Sequence, residues 1–344
     1  MIQQHGGNIS HLENILDFSA NINPLGIPES VKRAVEASVS EMDKYPDPYC
    51  SALRERLAAY EGIPADNIVC GNGADDLIFR IVHAFRPARA IVTAPAFSEY
   101  SRALAETGCI TTEHILSAES GFELTEGILS QLTPDIDICF ICSPNNPTGR
   151  TAAPDVLEKI AGKCLENNII LVCDECFLGF VQNGEPLSLM RALNENCVIL
   201  KAFTKLFAVP GIRLGYVVCG SISAAGRIRK SGQFWGVSSL AQTAGIAALG
   251  EKDYLRRTVN YVAKERERLT AEMRSMGIRV FESSANFLLF RSCSDLGERL
   301  LDEGILIRDC RNFAGLSQGY YRIAVRTHEE NTVFLNALRR CLNG

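Results

Sequence analysis

The sequence predicts an α/β protein: a large domain with a mostly parallel sheet between helices, followed by a smaller α+β domain at the C-terminal end. Three observations lead there. The chain has 344 residues, 47% of them hydrophobic and 22% charged, which is ample for a sizeable core and unlike a disordered composition. Between residues 67 and 219, short β-branched runs alternate with helical patterns, the reading of a parallel sheet covered by helices. Beyond residue 252, one long charged segment leads into strand-like and helical pieces that no longer alternate in this way.

In chain order, residues 1–28 form a polar, irregular N-terminal arm that starts MIQQHGGNIS. Pro28 then opens ESVKRAVEASVS, in which Val31, Ala34, Val35 and Val39 recur at helical spacing, and proline suits a first helical turn. The large domain, residues 29–252, carries the runs IVC, AIVTA, IDICFIC, IILVC, CVILKA and YVVC as strands, with VLEKIAGKCLENN typical of the helices between them. The segment KDYLRRTVNYVAKERERLTAEMRSMG reads as one long helix. RVFES, FLLF and YYRIAV read as strands, and further helices surround Leu296 and Phe334 in a small domain spanning residues 253–344.

Charge and cysteine content exclude several function classes. Lys plus Arg number 35 against 40 Asp plus Glu, a net charge of −5 with no long basic run, so nucleic acid is not an expected partner. No apolar run approaches the ~18 residues of a membrane span or the ~7–15 of a signal-peptide core, which points to the cytoplasm and away from a membrane. The 13 cysteines are spread along the chain, several inside ICFIC and ILVC, and read as free thiols in a reducing compartment. Cys139/Cys142 and Cys173/Cys176 share the Cys-x-x-Cys spacing of a zinc ribbon. They lie in or beside apolar strands, where neighbouring side chains alternate faces, and no metal is expected.

Ligands of open parallel sheets bind outside the carboxyl ends of the strands, and the polar clusters fall there. SPNNPTG (Ser143 to Gly149) follows ICFIC, Asp174 and Glu175 follow ILVC, Thr204 and Lys205 follow VILKAF, and Arg213 follows a Pro-Gly turn. Taken singly, Asn-Pro-Thr-Gly is a turn and a lone lysine is a surface group. Four polar groups after successive strands point instead to one site.

In identity, order and spacing, these motifs, together with Pro210-Gly211-Ile212-Arg213-Leu214-Gly215-Tyr216, resemble the fold type I, pyridoxal-phosphate-dependent aminotransferase family over essentially the whole chain. The resemblance implies a seven-stranded sheet and pyridoxal 5′-phosphate as cofactor. It implies Lys205 as the cofactor's covalent attachment point and proton carrier, Asp174 as partner of the pyridine nitrogen, and Asn146 as partner of the ring hydroxyl. A carboxylate at that nitrogen keeps it protonated, so the ring can accept an electron pair from the substrate's Cα. A desolvated, cation-rich pocket lowers the lysine's affinity for its proton. Gly73, Ala74 and Asp75 are implied as backbone donors to the cofactor phosphate at a helix start, with Thr204 and Arg213 adding a hydroxyl and a guanidinium. Phe97 is implied as the aromatic stacked on the ring and Tyr100 is the second choice; either also reads as core. Tyr45, in DKYPDP, matches a tyrosine that reaches across a homodimer to the neighbour's cofactor phosphate, and otherwise reads as a turn aromatic between prolines. Two positions depart from the family pattern: Ala202, where a Ser or Thr commonly stands, and Phe177, where a Tyr commonly donates to the ring hydroxyl.

Arg322, in YYRIAVRT, matches the arginine that grips the substrate α-carboxylate with a bidentate fork. His5-Gly6-Gly7-Asn8, DFSANINPLG, IRDCRNFAGL and Arg326 resemble the branch of the family that decarboxylates threonine phosphate in cobalamin biosynthesis; the histidinol-phosphate aminotransferases are the neighbouring branch. His5, Gly6, Asn21, Asn146, Arg308 and Arg322 are thereby implied for a small phosphorylated amino acid, whose dianionic end wants several cationic or N–H donors. Arg326 is a plausible extra charge. Position alone would make His5 a disordered terminal residue and Arg308 a surface charge at a strand end, but Gly6 and Gly7 let backbone come close to a ligand. Decarboxylation is the expected reaction and aminotransfer the alternative. No residue visibly distinguishes threonine phosphate from serine phosphate.

Overall fold

The computed structural model describes residues 6–8 and 14–343. After β1 (Leu16–Asp17), the central sheet takes β2 (Ile68–Gly71), β3 (Arg89–Ala94), β4 (Ile110–Ile115), β5 (Ile138–Cys142), β6 (Ile170–Asp174), β7 (Cys197–Ala202) and β8 (Gly215–Cys219). Its seven strands run in the order β2-β8-β7-β6-β5-β3-β4. All pairs from β7 to β4 are parallel, and β8 alone runs antiparallel, to both β2 and β7. The mostly parallel sheet expected from the sequence is therefore present. Strands β5 and β8 are buried at every position, which explains why they read as unbroken apolar runs rather than alternating ones. The edge strand β4, ITTEHI, buries no residue and so carried no such signal; a solvated edge can be polar.

The flanking helices are α1 (Glu29–Ser38), α2 (Ser51–Glu61), α3 (Gly73–Phe85), α4 (Glu99–Glu106), α5 (Pro154–Glu166), the single turn α6 (Phe203–Leu206), α7 (Ile222–Lys230) and α8 (Ser239–Ala248). Helix α5 opens on Pro154 and buries Val156, Leu157, Ile160, Ala161 and Cys164 along one stripe, the 3.6-residue period of an amphipathic helix. Alternation along the strands feeds two separate cores. Cys139, Ile141, Leu171 and Cys173 join Leu157 and Ile160 on one face, while Ile138, Phe140, Cys142 and Val172 join Leu77 and Leu104 on the other. Cys142 thus faces away from Cys139 and Cys173, so the two Cys-x-x-Cys spacings do not converge.

The C-terminal part contains α9 (Lys252–Ser275), β9 (Arg279–Val280), β10 (Phe287–Arg291), α10 (Leu296–Asp302), β11 (Ile305–Leu306), β12 (Arg308–Asp309), β13 (Tyr320–Ala324) and α11 (His328–Asn343). Four of its strands form an antiparallel sheet in the order β12-β13-β10-β9. Strand β1 pairs in parallel with β11, which fastens the N-terminal arm to this part of the fold. Helix α9 buries Tyr254, Thr258, Val262, Leu269 and Met273. Tyr254 packs in the large core, Val262 beside Phe177 and Phe287, and Leu269 and Met273 in the C-terminal core, so one helix pins both parts. Each large apolar side chain so buried contributes roughly 1.5–3 kcal/mol. Among the described residues, no helix is long and apolar enough to cross a membrane.

Candidate active site

A cavity of about 400 Å³ opens at the carboxyl ends of β5, β6 and β7, with the arm, β12 and β13 closing its far wall. Its floor is set by where two strands stop. Strand β6 ends on Asp174, whose buried carboxylate accepts the Tyr100 hydroxyl at Oδ2 (2.5 Å) and the Cys176 N–H at Oδ1 (2.9 Å). Burial raises the pKa of Asp174, and the hydrogen bonds from Cys176 and Tyr100 work against that rise. Strand β7 runs into α6, which lifts Lys205 into the cavity. Its amine makes no ion pair among the described residues. Burial, and then the guanidinium groups of Arg322 and Arg213, lower its pKa to about 8, so the neutral, nucleophilic amine is accessible near physiological pH. The turn is held by Asn23, which donates its backbone N–H to the Lys205 carbonyl (3.1 Å) and its side-chain amide to the Leu206 carbonyl (2.7 Å).

One end of the cavity is built for an anion. Helix α3 begins at Gly73 with no side-chain cap on its first turn, so its leading N–H groups are left to a ligand. Gly73 sits at φ +87, and a Cβ there would lie 2.7 Å from Arg213 Nη2; glycine lets the guanidinium come up to the helix start. Ala74, Asp75 and Thr204 line the cavity beside it. Asp75 lies against the Glu99 carboxyl, whose pKa is raised by burial and then by the Asp75 charge.

The far wall carries two buried arginines. Arg308 on β12 and Arg322 on β13 are direct cross-strand partners. Arg322 donates to the Ser19 carbonyl (2.7 Å) and to Asn146 Oδ1, while its Nε has no partner among the described residues. Burial lowers its pKa to about 10, and the guanidinium remains charged. Arg308 donates to Asn312 Oδ1 (2.8 Å) and lies over the Phe313 ring at 5.2 Å. Asn21 Oδ1 is buried and unpartnered among the described residues. Gly6 reaches the same wall; a Cβ on it would meet the Ser19 carbonyl oxygen at 2.1 Å, and the Gly7 N–H donates to Ser19 Oγ (2.8 Å).

Most of the residues singled out in the sequence therefore meet in one cavity, including Phe97 and Asn146. Three do not. His5 lies outside the described residues. Arg326 is turned away, donating to the Asp17 carbonyl (2.9 Å) and to Glu330 (2.7 Å), so it supports the arm and does not line the cavity. Tyr45 is 81% exposed and stacks on Trp235 at 4.5 Å on the surface of the chain. Ser19, Asn23 and the bond from Tyr100 to Asp174 were missed. The first two lie in DFSANINPLG, a motif whose polar residues were the available signal; the third spans 74 positions in sequence and left none.

The chain belongs to the aminotransferase class I and II family, which it matches over residues 13–338. It is 39% identical to a threonine-phosphate decarboxylase of Salmonella typhimurium, covering 99% of this chain and 97% of that one. It is 32% identical to an adenosylcobalamin biosynthesis bifunctional protein of Leptospira interrogans, covering 100% of this chain and 41% of that one. Among solved structures, the histidinol-phosphate aminotransferase from Clostridium acetobutylicum superposes with a TM-score of 0.90 at 31% identity, covering 96% of this chain and 99% of that one. The family works with pyridoxal 5′-phosphate, and the residues present fit that group. An uncapped helix start beside Arg213 suits its phosphate, an unpaired buried lysine suits its aldehyde, and a buried carboxylate with lone pairs to spare suits its ring nitrogen.

Proposed function

We propose that this chain is a pyridoxal-phosphate-dependent carboxy-lyase that converts L-threonine O-3-phosphate to (R)-1-amino-2-propanol O-2-phosphate, for cobalamin or related cobamide biosynthesis. The observation that carries this reading is the pair Arg308 and Arg322, two buried guanidinium groups side by side in the cavity that holds Lys205. Two such groups suit a substrate with two anionic ends, a carboxylate and a phosphate. L-Serine O-phosphate, one methyl smaller, meets the same clamps, and a methyl is worth only about 1–3 kcal/mol in a hydrophobic pocket.

When bound, the cofactor would supply a protonated ring that draws off the electron pair of the Cα bond that breaks. The chain's own residues choose that bond. Lys205 Nζ would hold the cofactor's aldehyde carbon and would carry a proton to the substrate's Cα. Asp174 would hold the ring nitrogen, Asn146 the ring hydroxyl and Phe97 the ring face. Gly73, Ala74 and Asp75 offer backbone donors to the cofactor phosphate, joined by Thr204 and Arg213. Arg322 takes the carboxylate, and His5, Gly6, Asn21 and Arg308 take the substrate phosphate. Binding energy from the phosphate would orient the carboxylate as the group that leaves Cα, as carbon dioxide, in place of a proton.

The same reading makes the protein a cytoplasmic homodimer with shared sites. Tyr45 reaches the neighbouring cofactor phosphate from an exposed aromatic surface that also includes Tyr49, Phe234 and Trp235. It divides the chain into an arm (residues 1–28), a large cofactor domain (29–252) and a small domain (253–344). Close likeness to a solved histidinol-phosphate aminotransferase favours aminotransfer as the second reading. Product analysis separates the two. Purified protein with cofactor is given threonine phosphate, serine phosphate or, separately, histidinol phosphate with 2-oxoglutarate, against a Lys205→Ala blank. Carbon dioxide from the first is the expected result; glutamate from the third without carbon dioxide from either phosphorylated amino acid would overturn the decarboxylase.

A further inference from the structure

Tyr100 neither packs as ordinary core nor lies free as a stacking platform. Its ring rests nearly flat on Phe140 of β5 (5.2 Å, 20°) and meets the edge of Phe97 (5.9 Å, 83°). Held between them and 1% exposed, it brings its one polar atom to Asp174 Oδ2 at 2.5 Å. Burial first, and then the charge of Asp174, push the Tyr100 phenol well above its usual pKa; the hydroxyl keeps its proton and acts as the donor. An ionised carboxylate has about four acceptor positions. Tyr100 takes one on Oδ2, and Cys176 approaches with its N–H on Oδ1 and with its thiol, which still leaves acceptor capacity for the cavity.

We propose that Tyr100 is a positioning residue that, by donating to Asp174 Oδ2, keeps the proton shared by Asp174 and the cofactor's ring nitrogen on the ring. The inference rests on the placing of Asp174 at that nitrogen under the proposed function. When a carboxylate and a pyridine share one proton in a dry site, the proton goes to the more basic partner. Burial makes the carboxylate more basic, and a hydrogen bond to its charged form makes it less so. Tyr100 and Cys176 are the groups that oppose burial at Asp174. Of the two, only Tyr100 comes from outside the Asp174 turn, across 74 positions of sequence. It therefore also fixes the carboxylate's rotation against a rigid aromatic stack. Tyr100 acts on the chemistry through Asp174, because a ring that holds its proton draws electrons more strongly.

The test uses holoenzyme loaded with cofactor labelled with ¹⁵N at the ring nitrogen, whose NMR resonance separates a protonated pyridine from a neutral one. In Tyr100→Phe, which keeps the ring and both aromatic contacts, the resonance is expected to move toward the neutral position, with kcat about tenfold lower and KM little changed. Tyr100→His keeps a ring N–H donor but fits the aromatic stack less well, and should return the resonance toward its native position. A role in packing alone would order the two variants the other way, with the Phe variant nearer to native. Asp174→Asn runs in parallel. If it shifts the resonance while Tyr100→Phe leaves it in place, the inference about Tyr100 is overturned and the cofactor site stands. If Asp174→Asn also leaves it in place, both fall.

Discussion

Two cavities lie back to back across β6 and β7, and the smaller one is the candidate site. The larger, about 900 Å³, is lined by Glu61 of α2, Glu175, Lys201 and Tyr216. Strand alternation assigns the residues: Asp174 looks into one cavity and its neighbour Glu175 into the other. In the larger cavity the charges are answered. Lys201 Nζ donates to both oxygens of Glu61 (2.7 and 3.0 Å), Tyr216 donates to Glu61 (2.5 Å), and Glu175 accepts from Ser188 Oγ (2.8 Å) and the Leu189 N–H (2.7 Å). In the smaller cavity, Asn21 Oδ1 and Arg322 Nε have no partner among the described residues. The two lysines are pushed in opposite directions. Burial pulls on both, but Glu61 and Glu175 more than offset it at Lys201, whose pKa is raised, whereas Lys205 falls to about 8. Size does not mark a binding site here. Between these two cavities, buried polar groups left without partners do, although Asn286 Oδ1, Arg150 Nε and Arg326 Nε are also unpartnered among the described residues and line neither.

The sharpest break of this contrast is to delete each lysine in turn. Lys205→Ala should lose on the order of 10⁴-fold or more in carbon dioxide release from threonine phosphate, as expected for a residue that both anchors the cofactor and moves a proton. Next in size is Arg322→Ala. Removing one member of a buried, hydrogen-bonded charge cluster costs about 2–5 kcal/mol, which is felt as a fall in kcat/KM with threonine phosphate that Arg322→Lys restores only in part. Lys201→Met should instead leave turnover per folded molecule intact and cost about 3 kcal/mol of stability in urea unfolding, because it leaves Glu61 buried without its cation. A Lys201→Met protein that folds normally and loses turnover would end the distinction between the two cavities.

How much of this could be read in the sequence follows the same division. The strands β5 to β8 were legible because burial on both faces makes them largely apolar, and the residues at their carboxyl ends were legible because Asp174, Lys205 and SPNNPTG interrupt apolar runs. Strand β4 was not, since an edge exposed to water needs no apolar pattern. Nor were the two-residue strands β1 and β11, whose pairing of Leu16 with Ile305 depends on tertiary contact and not on local propensity. Within the site, Tyr100 stood as a candidate ring for stacking. Its bond to Asp174 depends on how α4 sets the Tyr100 ring against Phe140 of β5, and no local pattern encodes that. The charge network around Lys201 was invisible for a related reason: its members come from α2, β7 and β8 and from the residue after β6.

The smallest effect is the most direct comparison of the two lysines, and it lies in the pH dependence of the cofactor-free protein. A lysine whose folded pKa is lowered to about 8 from the usual 10.5 is protonated in the unfolded chain but largely neutral in the folded one between those values. The unfolded state then binds more protons, so this group's contribution to stability rises with pH from about 8 to about 10.5. Lys201 has the opposite sign. Its raised pKa gives a contribution that is fully present below the unfolded value and is lost as pH climbs past it. Urea midpoints measured from pH 8 to 11 on the native chain, Lys205→Met and Lys201→Met should therefore diverge. Lys205→Met is expected to lose the rise below pH 10.5, and Lys201→Met the fall above it. Cofactor capture by the free protein, followed by absorbance, should speed up with pH until about 8 and then level off, since only the neutral amine attacks the aldehyde. Equal slopes in both variants would mean that the lysines share one electrostatic environment, which the pairing of Lys201 with Glu61 and the unpaired amine of Lys205 do not allow.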